Sequence, residues 1–181
     1  MRTALVGLVL LGLAGSAQAS TLIGDTVSAF VEAPSVFPGN NLFNSSGSPA
    51  SAVVGPGVEF SVTIGGTISA DFGASSLVIG LTGPFPSIGD DLIFTFSDLD
   101  FDTGAAIAGV SLSSSDLSGV SIGFTADSII VKIPDQRVPL SFNAVRLDIT
   151  PAALVPEPAT IGLSAFGALA LVGLARSRRT R

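Results

Sequence analysis

The sequence contains no cysteine, histidine, tryptophan or tyrosine, and it contains a single methionine. Without cysteine no disulfide can form, so the hydrophobic core alone has to hold the fold together. Without histidine or cysteine, neither a Ser-His-Asp triad nor a His/Cys zinc site can be built. Tryptophan and tyrosine are also the usual stacking faces of sugar clefts. We therefore expect a protein that is not an enzyme and that needs no cofactor.

One catalytic design survives these absences. Glycosidases need only two carboxylates, and Glu59, Asp71 or the aspartates of residues 90–102 supply them. A hydrolase therefore stays open as an alternative on composition alone.

The N-terminus has the pattern of a secretory signal peptide. Arg2 precedes an apolar stretch over residues 4–14, and Ala17 and Ala19 are the small residues of a cleavage site. The apolar stretch is short for a membrane-spanning helix. The pattern predicts that residues 1–19 are removed by signal peptidase, with cleavage between Ala19 and Ser20.

The predicted mature domain, residues 20–154, is strongly acidic. It holds thirteen acidic and three basic residues, a net charge of −10. Such a domain repels the phosphates of nucleic acids, so nucleic acid is not an expected partner. The length suits a single domain.

Alternation of apolar and polar residues with a period of two dominates this domain, as is typical of strands with one buried face. Buried faces are predicted for Val58/Phe60/Val62/Ile64, Ile68/Ala70/Phe72, Leu77/Ile79/Leu81, Val120/Ile122/Phe124, Ile129/Val131/Ile133, Val138/Leu140/Phe142 and Val145/Leu147/Ile149. About ten short strands favour an all-β fold, an antiparallel β-sandwich or jelly-roll-like domain. Residues 33–57 are rich in Pro, Gly, Ser and Asn, which predicts one long surface loop.

The segment 90–104 changes the phase of its alternation. Phe94 and Phe96 share one parity, and Leu99 and Phe101 take the other. A bulge or tight bend between the two pairs would turn all four side chains inward.

The same bend would place Asp98, Asp100 and Asp102 together on the solvent side. Three carboxylates at alternate positions, with Asp90 and Asp91 upstream, are hard oxygen ligands of the kind that calcium prefers. The spacing does not match an EF-hand loop. The commoner use of such a pattern is a solvated strand face that limits edge-to-edge pairing. Calcium is thus the one metal that the sequence suggests, as an alternative to no metal at all.

The C-terminal residues 155–181 combine three features. Pro156, Glu157 and Pro158 are followed by seventeen uncharged, mostly apolar residues, 159–175, which predict a short transmembrane helix. A basic tail over residues 176–181 carries Arg176, Arg178, Arg179 and Arg181. By the positive-inside rule this tail stays in the cytoplasm and the acidic domain lies outside.

This arrangement closely resembles the PEP-CTERM sorting signal of Gram-negative bacteria. The motif carries over onto Pro156, Glu157 and Pro158, and the resemblance covers residues 155–181. It implies processing by an exosortase, a membrane-embedded cysteine protease, after export and transient anchoring in the membrane. It also implies a final location in the outer envelope or extracellular matrix.

We therefore expect a secreted surface or matrix protein with a structural or adhesive role linked to extracellular polysaccharide or biofilm. The alternative is a calcium-dependent module that binds a glycan or a protein through the aspartates.

Overall fold

The structure is a computed structural model of the chain and describes residues 20–83, 89–138 and 141–153. These residues form ten β-strands and contain no helix. The strands are β1 (Thr26–Glu32), β2 (Ala50–Val53), β3 (Phe60–Thr63), β4 (Thr67–Phe72), β5 (Ser76–Thr82), β6 (Leu92–Ser97), β7 (Ile107–Ser115), β8 (Ser121–Phe124), β9 (Ile129–Ile133) and β10 (Asn143–Pro151). The predicted all-β fold class is confirmed.

The ten strands form two five-stranded sheets in which every pair of neighbours is antiparallel. The first sheet has the order β2-β1-β6-β9-β8, and the second has the order β3-β4-β5-β10-β7. Apolar side chains from both sheets meet in one core. Phe72 of the second sheet contacts Phe96 of the first edge to face, with ring centroids 5.2 Å apart. The fold is therefore sandwich-like, with an aromatic centre.

Four of the predicted buried faces are confirmed in full. Every apolar residue of these runs is buried: Ile68/Ala70/Phe72 in β4, Leu77/Ile79/Leu81 in β5, Ile129/Val131/Ile133 in β9 and Val145/Leu147/Ile149 in β10. All four are inner strands, each of which pairs with a neighbour on both sides. Their alternation reports the buried face directly because one side of each strand meets the core and the other meets water.

Three other runs differ from the prediction. β3 is shorter than expected, and Val58 and Ile64 at the ends of its run are exposed. β8 forms as predicted, but it is an edge strand and Phe124 is exposed. No strand joins Val138 to Phe142 within the described residues, and Leu140 lies outside them.

The predicted loop over residues 33–57 is wrong in part. It contains β2, an edge strand of small residues that pairs with β1. Ala33, Leu42 and Val54 are buried, so the segment contributes to the core at three points. Composition concealed this role because Ala, Ser and Pro carry no period-two signal.

Several predictions concern residues outside those that the structure describes. They are the signal peptide of residues 1–19, including Ala19, and the sorting signal with its helix and basic tail over residues 155–181. No helix long and apolar enough to cross a membrane occurs among residues 20–83, 89–138 and 141–153.

Candidate functional site

The segment that carries Asp98, Asp100 and Asp102 begins with a sharp bend. β6 ends at Ser97, and Asp98 has a φ of 61°. This left-handed conformation shifts the phase of the alternation by one residue. As a result Leu99 and Phe101 are buried, like Phe94 and Phe96 before them. The predicted bend is confirmed, and Asp98, like the two alternate aspartates after it, is exposed.

Asp100 and Asp102 bind the first residues that the structure describes. The Asp100 N–H donates to Asp25 Oδ2 at 2.8 Å. Thr21 N–H donates to Asp102 Oδ1 at 3.0 Å, and the Asp102 N–H donates back to the Thr21 carbonyl at 2.9 Å. The aspartates of this loop therefore hold a segment of chain about eighty residues distant in sequence.

A shallow cavity of about 330 Å³ lies at this junction. Asp25, Asp100 and Asp102 line it together with the backbone of the N-terminal segment, and Asp98 does not. Asp25 was missed by the sequence analysis, because nothing local marks it as a neighbour of Asp100. Among the described residues, no three acidic side chains come together closely enough to hold a metal ion.

The upstream aspartates lie elsewhere. Asp90 and Asp91 precede β6 and Asp98 follows it, and a six-residue strand spans about 20 Å. The upstream pair therefore lies about the length of β6 away from Asp98, because the intervening residues form an extended strand.

At their own end of β6, Asp90 and Asp91 form a second group of contacts. The Ser35 N–H donates to Asp90 Oδ2 and lowers the pKa of the Asp90 carboxyl below its ordinary 3.8. The Lys132 ammonium, 2.6 Å from Asp91 Oδ2, lowers the pKa of the Asp91 carboxyl in the same way. The Asp135 N–H also donates to Asp91 Oδ1 at 3.0 Å. Both carboxylates are thus committed to binding neighbouring segments.

The connection after β1 is organised by a buried amide that the sequence analysis did not single out. Asn41 is fully buried. Its Oδ1 accepts the N–H groups of Val31 and Phe43 at 3.0 and 3.1 Å, and its Nδ2 donates to the carbonyls of Ala29 and Ser48 at 2.8 and 3.1 Å. β2 pairs with β1 only as far as Ala29, so the Asn41 side chain replaces the missing strand.

The Glu59 carboxylate accepts hydrogen bonds from two backbone N–H groups. Its Oε1 accepts the Gly55 N–H at 2.9 Å, and its Oε2 accepts the Phe72 N–H at 2.7 Å. Both carboxylate oxygens join the β2–β3 connection to the end of β4. Asp71, the other acidic residue considered for hydrolysis, is half-buried in β4 opposite Val78.

One aromatic side chain lies on the outside of the second sheet. Phe142 is 54% exposed, and its ring lies over Gly80 of β5. A Cβ at Gly80 would be 2.7 Å from both the Phe142 ring and Ser69 Oγ, so only glycine leaves room for the ring. A half-exposed ring fixed on a flat sheet face is a surface that can contact a partner.

The predicted sorting motif, Pro156, Glu157 and Pro158, and the arginines of residues 176–181 lie outside the described residues, and Ser20 is the first residue within them. Comparison with family models, with curated proteins and with solved structures gave no match to this chain.

Proposed function

We propose that this chain is an exported, non-enzymatic surface or matrix protein that an exosortase processes near its C-terminus. The observation that carries the proposal is the order of three features: Pro156-Glu157-Pro158, the uncharged residues 159–175, and the basic residues 176–181. Two prolines favour an extended segment that a protease can grip. The arginines after the apolar run fix its orientation in the membrane.

The proposed route begins with export through the predicted signal peptide and cleavage before Ser20. Residues 159–175, about 25 Å long as a helix, then hold the precursor in the membrane with the domain outside. Cleavage near Glu157 releases the domain or transfers it to the outer envelope or extracellular matrix of a Gram-negative bacterium.

A structural or adhesive role linked to extracellular polysaccharide or biofilm agrees with the side chains of the domain. Histidine and cysteine are absent, and both oxygens of Glu59 are occupied by backbone N–H groups. Apolar side chains are instead available on the outer faces of the sheets, Phe142 on the second and Ile130, 43% exposed, on the first. In the proposed role, these side chains are apolar groups that a partner could contact.

The sorting step is tested by the mass of the C-terminal peptide in native cells with and without their exosortase. We expect a C-terminus near Glu157 in the first case and at Arg181 in the second. Alanine at residues 156–158 should give the unprocessed form in both. The matched control replaces Glu32, Pro34 and Pro38 by alanine and should be processed normally.

A chain that ends at Arg181 in both strains would contradict exosortase processing. The structural or adhesive role is tested separately by fractionation of the biofilm matrix. We expect the processed protein in the matrix fraction and reduced matrix retention in a Phe142→Ser variant. Recovery of the protein only from the cytoplasm would overturn the proposed location.

A further inference from the structure

The first residues of the predicted mature chain are held by the loop that follows β6. Ser20 Oγ and Thr103 Oγ1 are 2.5 Å apart. Thr21 and Asp102 exchange two hydrogen bonds, one through the Asp102 carboxylate and one through its backbone N–H. The next residue, Leu22, is completely buried, and its N–H donates to the Ala74 carbonyl at 2.8 Å. The chain is therefore ordered from the predicted cleavage site onward.

Cleavage before Ser20 changes the charge at this position. Hydrolysis of the Ala19–Ser20 peptide bond adds a hydroxyl to the Ala19 carbonyl carbon and a proton to the Ser20 nitrogen. The new α-amino group takes up a further proton at neutral pH, because such groups have a pKa of about 7.7–8.0. A neutral peptide N–H is thus replaced by an ammonium with three donors.

We propose that Asp102 is the receptor of this N-terminal ammonium, so that signal-peptide cleavage creates the ion pair that closes the aspartate-rich end of the sandwich. The Ser20 nitrogen is one peptide unit from the Thr21 nitrogen, about 3.5 Å, and hence within roughly 7 Å of Asp102 Oδ1. Rotation about the Ser20 backbone brings it into salt-bridge range. The inference rests on the proposed export, since only cleavage before Ser20 creates this cation.

The surroundings favour a cation at this point. Asp25 and Asp100 line the same cavity as Thr21 and Asp102, and no basic side chain lines it. The only salt bridge among the described residues joins Lys132 to Asp91 at the other end of β6, so none of the described basic side chains pairs with Asp102. The ammonium would therefore relieve repulsion among the carboxylates as well as pair with Asp102.

The test uses the chain from Ser20 to Arg181, which keeps the C-terminal segment, in detergent, with either a free or an acetylated N-terminus. Acetylation removes the charge and leaves the sequence unchanged. We expect it to lower the melting temperature by about 2 °C, the size of an exposed ion pair in a domain of this length. In an Asp102→Asn variant acetylation should have no effect, since asparagine keeps the acceptor for Thr21 but not the charge. Asp148→Asn, an exposed change on β10, should retain the 2 °C difference.

An equal loss on acetylation in the wild type and in Asp102→Asn, or no loss in either, would overturn the inference. If Asp102→Asn does not fold, the melting temperatures of the free and the acetylated wild-type chains are compared at 1 M NaCl instead. Screening should then abolish the difference, and a difference that persists would contradict an ion pair. N-terminal sequencing of the native protein separates the two proposals: a start other than Ser20 refutes the predicted cleavage, whereas a start at Ser20 without an acetylation effect refutes only the ion pair.

Discussion

β1 and β6 are antiparallel neighbours in the first sheet, so the connection that follows β1 and the connection that follows β6 lie at opposite ends of this strand pair. Residues 33–49, after β1, are held chiefly by the buried side chain of Asn41. Residues 98–106, after β6, are held by the exposed Asp100 and Asp102. At both ends, hydrogen bonds between a side chain and the backbone hold the connection. The side chain is buried at one end and exposed to water at the other.

The difference shows what burial does to a polar contact. A buried amide has no water to replace its partners, so its loss leaves backbone groups unsatisfied at a cost of about 1–3 kcal/mol each. An exposed carboxylate exchanges its partners for water at little cost. We expect the Asn41 end to govern stability, and the aspartate end to tolerate substitution and respond to charge.

The largest expected effect is that of Asn41→Ala. The change removes the acceptor of the Val31 and Phe43 N–H groups and the donor to the Ala29 carbonyl, and we expect the free energy of unfolding to fall by about 3 kcal/mol. Asn44→Ala is the matched control: Asn44 is exposed in the same connection, and its loss should cost under about 1 kcal/mol. Urea unfolding measures both, and similar losses would remove the distinction between the two ends.

An intermediate effect is expected at the bend. Asp98 has a φ of 61°, which a β-branched residue adopts only with strain, so Asp98→Val should cost about 1–2 kcal/mol. Asp98→Gly should be nearly neutral because glycine adopts this conformation freely. Asp148→Val, on the exposed face of β10, is the control for the change in side chain and should be neutral. A loss in Asp98→Gly equal to that in Asp98→Val would show that the carboxylate, not the backbone, matters.

The smallest effect concerns pH. The pKa values of Asp90 and Asp91 are lowered, so the unfolded chain binds more protons than the folded chain as the pH falls. Their contribution to stability is complete above the ordinary pKa of 3.8 and is lost as the pH falls through the lowered values. Asp91→Asn should therefore reduce the fall in the urea midpoint between pH 6 and pH 3, whereas Asp148→Asn should not. An unchanged acid response in Asp91→Asn would refute this assignment.

The sequence predicted those parts of the fold in which one strand face meets the core. The runs at 77–81 and 145–149 alternate without interruption and are buried as expected. β1 was missed because Phe30, on its outer face, breaks the alternation of Val27, Ala29 and Val31. β7 was missed because it is an edge strand rich in serine, with register shifts against β10.

The candidate site was predictable only as a list of carboxylates. The phase change at residues 94–101 correctly indicated the bend at Asp98 and the exposure of the aspartates around it. The partners of these aspartates, Thr21 and Asp25, come from the other end of the domain, and no local pattern marks them.

By itself, the sequence determined that the domain is all-β, that its acidic residues lie outside and that its aspartates follow a bend, because these properties depend on the alternation of neighbouring residues. The sequence is also the whole basis for the proposed sorting signal, which is a linear motif. Only the tertiary structure decided that Asn41 completes the edge of β1, that Asp90 and Asp91 are separated from Asp98 by the length of β6, and that Thr21 meets Asp102. Those contacts join residues distant in sequence, so they exist only once the two sheets have packed and brought the connections together.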